Sequence, residues 1–169
     1  MNLELYLEEF PSPIGGIYLV SSPNGVCALD FQGYDDRMNS LLTRQFGTYT
    51  IHSNGRVSES RRRVEAYFSG EVRAVDSIQV DVHGTGFQRE VWAALRTIAA
   101  GATQSYRQLA QRIGRPKATR AVGLANSQNP VAIIQPCHRV IGTNSKLTGY
   151  AGGLDRKAWL LRHEGALLL

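Results

Sequence analysis

The sequence predicts an α/β fold of the α+β kind: a small strand-rich N-terminal α/β domain, then a mostly helical C-terminal domain with a helix-turn-helix. Three observations carry this. Strand-like alternation is confined to the first third of the chain, and helical periodicity dominates beyond residue 86. The net charge also changes sign near "DVHGTG", residues 81–86. Residues 1–86 hold seven arginines, no lysine and eleven acids, a net of −4, whereas residues 87–169 hold nine arginines, three lysines and three acids, a net of +9. The expected division is therefore 1–82 and 83–169.

The elements follow in order. "LELYLEEF" alternates, "GGIYLVSS" is β-rich, and the turn "PNG" leads into "VCALDFQG", so three strands open the chain. "DDRMNSLLTRQF" places Met38, Leu41, Leu42 and Gln45 at helical spacing. "SESRRRVEAYFSG" carries Val57, Arg61, Val64 and Phe68 along one side and stops at Gly70. The arginines at 61–63 read as a solvated helix face, with a binding patch as the alternative. After the 81–86 boundary, Phe87, Val91, Ala94, Leu95 and Ile98 stripe a strong amphipathic helix.

"SYRQLAQRIGRPKATRAVGLANSQNP" contains a helix pair. Ser105 is placed to cap a first helix whose inner face is Tyr106, Leu109, Ala110 and Ile113. Gly114 suits the left-handed position after a helix end, and Pro116 suits the first turn of the next helix. That second helix, from about Lys117 to Asn126, aligns the small residues Ala118, Ala121, Val122 and Ala125. Two short helices around a glycine turn match a helix-turn-helix, with an ordinary core hairpin as the alternative. "VAII", 131–134, reads as a short buried strand. "LDRKAWLLRHEG" reads as a closing helix with Leu154, Ala158 and Leu161 inward and Gly165 at its end.

Composition sets limits on function. At 169 residues with 43% hydrophobic and 20% charged residues, the chain has enough material for a real core. No apolar run approaches the roughly 18 residues of a membrane span, and the first twenty residues lack a signal-peptide pattern. Two cysteines, Cys27 and Cys137, make no disulfide framework. The expectation is a soluble cytoplasmic protein with free thiols. The basic second half points to a polyanion partner, most simply nucleic acid, with a solvated basic face as the alternative.

The chemistry concentrates at "AIIQPCHRVIG", 132–142. A zinc site needs about four ligands at characteristic spacings, and no CxxC or HxxxH occurs, so no metal is expected. Cys27, between Val26 and Ala28 in a strand, reads as an inert core thiol. Cys137 follows a rigidifying proline and precedes His138 and Arg139. A free thiol ionises near pH 8.5, and a nearby base or cation raises the thiolate fraction. The residues favour a reactive thiol. Neighbours in sequence can point apart, so a buried structural thiol stays open.

"PCHRV" at 136–140, preceded by "NPVAII" and followed by "TGYAGG", resembles the active-site signature of the O6-alkylguanine-DNA alkyltransferases, the methylated-DNA–protein-cysteine methyltransferases. "FQREVWAALRTI", the helix-pair segment and "GGLDRKAWLLRHEG" extend the resemblance over residues 86–169, with a looser likeness before that. The resemblance implies direct repair. The protein would bind duplex DNA in the minor groove and flip the O6-alkylguanine out, with O4-methylthymine as a further candidate substrate. It would take the alkyl group irreversibly onto Cys137, once per molecule. It implies His138 as the base acting through a water, Glu164 as its orienting group, and Asn129 as a brace of the active-site turn. Arg120 would fill the gap left in the stack. Tyr106 would press on the flanking phosphate and polarise the base. Lys117, Ala118, Ala121 and Gly123 would lie against DNA. The Val140 carbonyl, Tyr150 and the Ala151 N–H would line the alkylguanine pocket. Arg139 would order the segment by ion pairing, with no readable partner. No cofactor is implied, because the alkyl donor is the damaged DNA. A monomer is expected, with cooperative binding along DNA open. One departure stands out: Gln135 occupies a position where the family usually has an aliphatic residue.

Two other readings remain. One is a DNA-binding module with an idle cysteine. The other is a thiol hydrolase built on a Cys–His pair.

Overall fold

The computed structural model describes residues 2–143 and 147–166. The chain forms two compact units. One comprises residues up to Gly84 together with Pro130–Ile134, and the other comprises Thr85–Asn129 with the chain from Gln135 onward.

The first unit is built on a four-stranded sheet in the order β3-β2-β1-β4. Strands β1 (Leu3–Phe10), β2 (Ile17–Ser22) and β3 (Gly25–Phe31) form an antiparallel meander where alternation predicts it. Helix α1 (Asp35–Phe46) then crosses over to β4 (Tyr49–His52), which pairs parallel to β1. Strand β4 was not expected; it has four residues, largely half-buried, and offers little apolar signal. One face of the sheet holds Leu5, Val20, Cys27 and Ala28 against Met38 and Leu42 of α1. Helix α1 has the expected bounds, because two acids open it and Gly47, at φ +71, closes it.

Helix α2 (Glu59–Phe68) buries Val64 of the predicted stripe together with Tyr67, while Val57 is exposed and Phe68 half-buried. Its N-terminus explains the shift. Ser58 is the cap, and the buried Glu8 of β1 accepts from both the Ser58 N–H and Oγ, at 2.6 and 2.7 Å. The helix starts after Val57, which lies outside its face. The arginines at 61–63 face Glu59, Glu65 and Ser77, as a solvated face does.

"VAII" is not a strand. Val131 makes a single parallel bridge to Leu29, with Leu29 N–H donating to the Pro130 carbonyl, and turns follow. Ile133 sits at φ +71, a sparsely allowed region for a β-branched residue, with Ile134 N–H bonded to the Ala132 carbonyl at 2.8 Å. Buried aliphatic composition predicted a strand, but the backbone makes a tight γ-turn instead.

In the second unit, α3 (Gly86–Leu95) and α4 (Tyr106–Arg112) both begin with full capping boxes, Thr85–Gln88 and Ser105–Gln108. Helix α3 turns Val91, Trp92 and Leu95 inward, and Trp92 Nε1 donates to the Ala125 carbonyl at 2.9 Å. Gly114, at φ +74, ends α4 as predicted. Pro116 lies in the connecting turn rather than in the first turn of α5, which spans Thr119–Ser127 with Ala118 as N-cap. Helix α5 buries Val122, Ala125 and Asn126, and Ala121 is exposed. Two-residue strands β5 (Gln104–Ser105) and β6 (Val140–Ile141) pair in parallel. Helix α6 (Leu154–His163) buries Lys157, Leu160 and Leu161. Leu161 is inward as predicted, but Leu154 is 48% exposed and Ala158 half-buried, and Lys157 and Leu160 take the inward places instead.

Candidate active site

The backbone places Cys137 first. Pro136, at φ −80 and ψ 69, is the centre of an inverse γ-turn, and the Cys137 N–H donates to the Gln135 carbonyl at 2.8 Å. Cys137–Arg139 then form one turn of 3-10 helix, closed by the Val140 N–H on the Cys137 carbonyl. At three residues per turn, consecutive side chains leave in three directions.

His138 and Arg139 converge on one carboxylate. His138 Nε2 lies 2.8 Å from Glu164 Oε2, and Arg139 donates Nε to Oε1 at 2.8 Å and Nη2 to Oε2 at 2.9 Å. The remaining Arg139 nitrogen Nη1 donates to the Ile98 carbonyl at 2.6 Å. All three side chains are buried, at 3% exposure or less. Glu164 is the C-cap of α6, and Gly101, at φ +89, passes close over its carbonyl, where a Cβ would come within 3.1 Å. The partner of Arg139, unreadable in the sequence, is thus the same Glu164 that the family resemblance pairs with His138.

Burial fixes the protonation states. Burial pushes Glu164 upward, but bonds from His138 and Arg139 outweigh it and hold the carboxyl at about 2. His138 is moved down by burial and by the cations Arg139 and Lys157, against the pull of Glu164. The site therefore holds an ionised carboxylate and a neutral imidazole at neutral pH. With Nε2–H committed to Glu164, Nδ1 carries the lone pair, and it is buried without a hydrogen-bond partner among the described residues.

Lys157 was missed. It is fully buried and donates Nζ to the Val140 and Thr148 carbonyls, both at 2.6 Å. It also lies 5.9 Å from the Tyr106 ring centre. Burial lowers it to about 8, opposed by attraction to Cys137. The signal was present: Lys157, Leu160, Leu161 and Glu164 follow i, i+3, i+4, i+7 spacing, but a stripe started at Leu154 hides it.

The remaining predicted residues fall into three groups. Asn129 lies at the site, donating Nδ2 to the Gln135 carbonyl at 2.7 Å. Tyr106 is half-buried, with its hydroxyl donating to the Thr148 and Gly149 carbonyls at 3.3 and 3.4 Å, and burial raises its pKa. The Val140 carbonyl accepts from Lys157, Tyr150 is half-buried, and Ala151 is exposed in the turn before α6. On α5 and its approach, Lys117, Arg120 and Ala121 are exposed, and Ala118 and Gly123 are half-buried. A Cβ on Gly123 would meet Tyr106 Cδ1 at 3.8 Å, an ordinary contact, so packing inside the protein does not require glycine there. Gln135, flagged as a departure, finds a partner in Asn129. Asn126, which donates to the Cys137 carbonyl at 3.4 Å, carried no sequence signal beyond its place on α5. Among the described residues no three His, Cys, Asp or Glu side chains lie together as metal ligands. No helix there is long and apolar enough to cross a membrane.

This arrangement, a buried cysteine next in sequence to a neutral histidine held by a carboxylate, coincides with two family models. Residues 86–166 match the 6-O-methylguanine DNA methyltransferase DNA-binding domain, and residues 5–82 match the ribonuclease-like domain of the same enzymes. The chain belongs to the 6-O-methylguanine DNA methyltransferase family. It is 45% identical to a methylated-DNA–protein-cysteine methyltransferase of Salmonella typhimurium, over 99% of both chains. It is 44% identical to one of Methanosarcina acetivorans, over 96% of this chain and 99% of that one. A crystal structure of Mycobacterium tuberculosis OGT in complex with DNA matches with a TM-score of 0.79 at 39% identity, covering 96% of this chain and 93% of that one. The mixed architecture, a strand-rich first part and a helical second part, is the one this methyltransferase family was expected to have.

Proposed function

We propose that this protein repairs alkylated DNA directly, by moving the alkyl group from O6 of guanine in duplex DNA to its own Cys137. The observation that supports the reading is the buried His138–Glu164–Arg139 cluster, adjoining the buried Cys137 in sequence, inside the family's DNA-binding region.

The chemistry follows from the protonation states. His138 Nδ1, through a water, takes the proton from the Cys137 thiol. Glu164 stabilises the imidazolium so formed, as the orienting group of a nucleophile–base pair does. Arg139 shares that carboxylate, which keeps His138 neutral until a proton arrives. Lys157 adds a cation whose attraction to Cys137 favours the thiolate. The sulfur then attacks the alkyl carbon. A carbon–sulfur bond forms, the carbon–O6 bond breaks, and its electron pair leaves with the guanine, which regains a proton. Tyr106 stays protonated, since burial raises its pKa, and so has a proton to donate toward the base. The thioether is stable, so each molecule acts once.

DNA binding is assigned to α5 and its approach. Lys117, Ala118, Ala121 and Gly123 lie close to the minor groove, and Arg120 replaces the flipped base. Flipping costs a few kcal/mol, less for a badly paired lesion. Val140, Tyr150 and Ala151 line the base pocket. The two domains, 1–82 and 83–169, divide the work, with chemistry in the second. We place the activity in the cytoplasm.

The test is a titration. A duplex carrying one O6-methylguanine is mixed with increasing protein, and the restored guanine is counted. One lesion repaired per protein molecule supports the reading. Continued turnover on an acyl substrate, without DNA, favours a thiol hydrolase. Binding without repair favours a DNA-binding module.

A further inference from the structure

Two donors share one backbone carbonyl next to the nucleophile in sequence. The Gln135 carbonyl accepts from the Cys137 N–H at 2.8 Å and from Asn129 Nδ2 at 2.7 Å. The Gln135 side chain then closes a ring, with Nε2 donating to Asn129 Oδ1 at 2.7 Å. Gln135 is 2% exposed and Asn129 5%. A buried carboxamide needs a reason, because an aliphatic side chain would fill the same space without a polar group to satisfy.

We propose that Gln135 is a positioning residue for alkyl transfer: its carboxamide holds the Asn129 carboxamide in the one orientation that anchors the Cys137 turn. This rests on Cys137 being the alkyl acceptor. An asparagine carboxamide is nearly symmetric in shape, and its two orientations differ in which end donates. As observed, both bonds to Gln135 are well paired. Turned over, Oδ1 would face the Gln135 carbonyl and Nδ2 would face Nε2. Two acceptors would meet at the backbone carbonyl, which cannot turn, and two donors would meet at the side chain until the Gln135 carboxamide turned as well, in a buried setting where mismatches cost most. Without the Gln135 amide, Asn129 keeps its contact with the carbonyl and loses the one with the side chain. Turning Asn129 over would leave the carbonyl at the head of the Pro136 turn with the Cys137 N–H alone. The sulfur would then be held less closely to its line of attack, and small misplacements of a reacting atom slow reactions sharply.

The test uses the full-length protein and two variants, Gln135→Leu and Gln135→Glu. Single-turnover methyl transfer is measured from a saturating O6-methylguanine duplex and from a free O6-alkylguanine base, alongside affinity for unmodified duplex and the melting temperature. Gln135→Leu is expected to transfer roughly tenfold more slowly from both substrates, the size of one lost buried hydrogen bond, with duplex affinity within about twofold of wild type. Gln135→Glu supplies the specific signature. A protonated carboxyl donates to Asn129 Oδ1 as the amide does, whereas a carboxylate repels it. Its rate, divided by that of wild type at each pH, is expected to fall as pH rises from about 6 to 9. A flat ratio for Gln135→Glu, or a wild-type rate for Gln135→Leu on both substrates, overturns the proposal. If Gln135→Leu does not fold, the Gln135→Glu profile decides alone. A wild-type protein that accepts no methyl group refutes the alkyl-transfer reading itself, a different result from wild-type transfer with indifferent variants.

Discussion

Replacing Glu164 by glutamine removes one charge and keeps the shape of the side chain. In the native protein this carboxylate takes three bonds, one from His138 and two from Arg139. They hold its pKa at about 2, against an ordinary value of 4.5. That difference of roughly two and a half pH units corresponds to about 3 kcal/mol. The folded pKa is the lower one, so this stability is fully present above about pH 4.5 and is lost as pH falls toward 2. Glu164→Gln is therefore expected to cost about 3 kcal/mol at pH 7, a large share of the 5–15 kcal/mol of a typical domain. The difference from wild type should shrink to about 1 kcal/mol near pH 3, where the unfolded wild-type chain is already protonated. Urea denaturation of both proteins at pH 7, 5 and 3 measures it. A loss below 1 kcal/mol at pH 7, or a loss that does not shrink in acid, would refute the claim that an ionised Glu164 anchors His138 and Arg139.

Three further outcomes are expected. Arg120→Ala should slow repair of a flipped lesion in duplex DNA more than reaction with the free alkylguanine base, and equal losses in parallel rate measurements would remove its role in the stack. Lys157→Met should flatten the alkaline limb of the stability curve. In wild type the folded pKa of about 8 lies below the unfolded 10.5, so the unfolded chain binds more protons between them and stability rises with pH by at most about 3 kcal/mol, as denaturation at pH 7.5, 9 and 10 would record. Gly123→Ala should raise stability by up to about 1 kcal/mol through helix propensity, since its Cβ meets only ordinary contacts, while weakening duplex binding in a fluorescence titration.

Much of the fold was legible because local signals agreed. The segment read as helical from the spacing of Met38, Leu41, Leu42 and Gln45 has the bounds of α1, where two acids and Gly47 mark the ends. Ser105 was legible as the cap of α4, whereas the capping box that opens α3 at Thr85 was not read from the sequence. Elements decided by tertiary context were read less well. Val131–Ile134 looks like a strand by composition, yet it makes one bridge and a turn with Ile133 at positive φ. Helix α2 has its start set by Glu8, fifty residues earlier in the chain. Within the site, Cys137 and His138 stood out by type and position. The bond from His138 to Glu164 spans 26 residues, and no periodicity connects them. Lys157 was passed over because a lysine in a helix is ordinarily a surface residue. Here two backbone carbonyls accept hydrogen bonds from its Nζ, which lets it stay buried.

The central claim is that Cys137 Sγ becomes alkylated. The most direct measurement is intact-protein and peptide mass spectrometry after mixing the protein with a duplex bearing one O6-methylguanine. A single added methyl is expected on the peptide containing Cys137, never more than one per protein, and none in Cys137→Ala. An unmodified protein bound to a duplex whose lesion remains intact would contradict it.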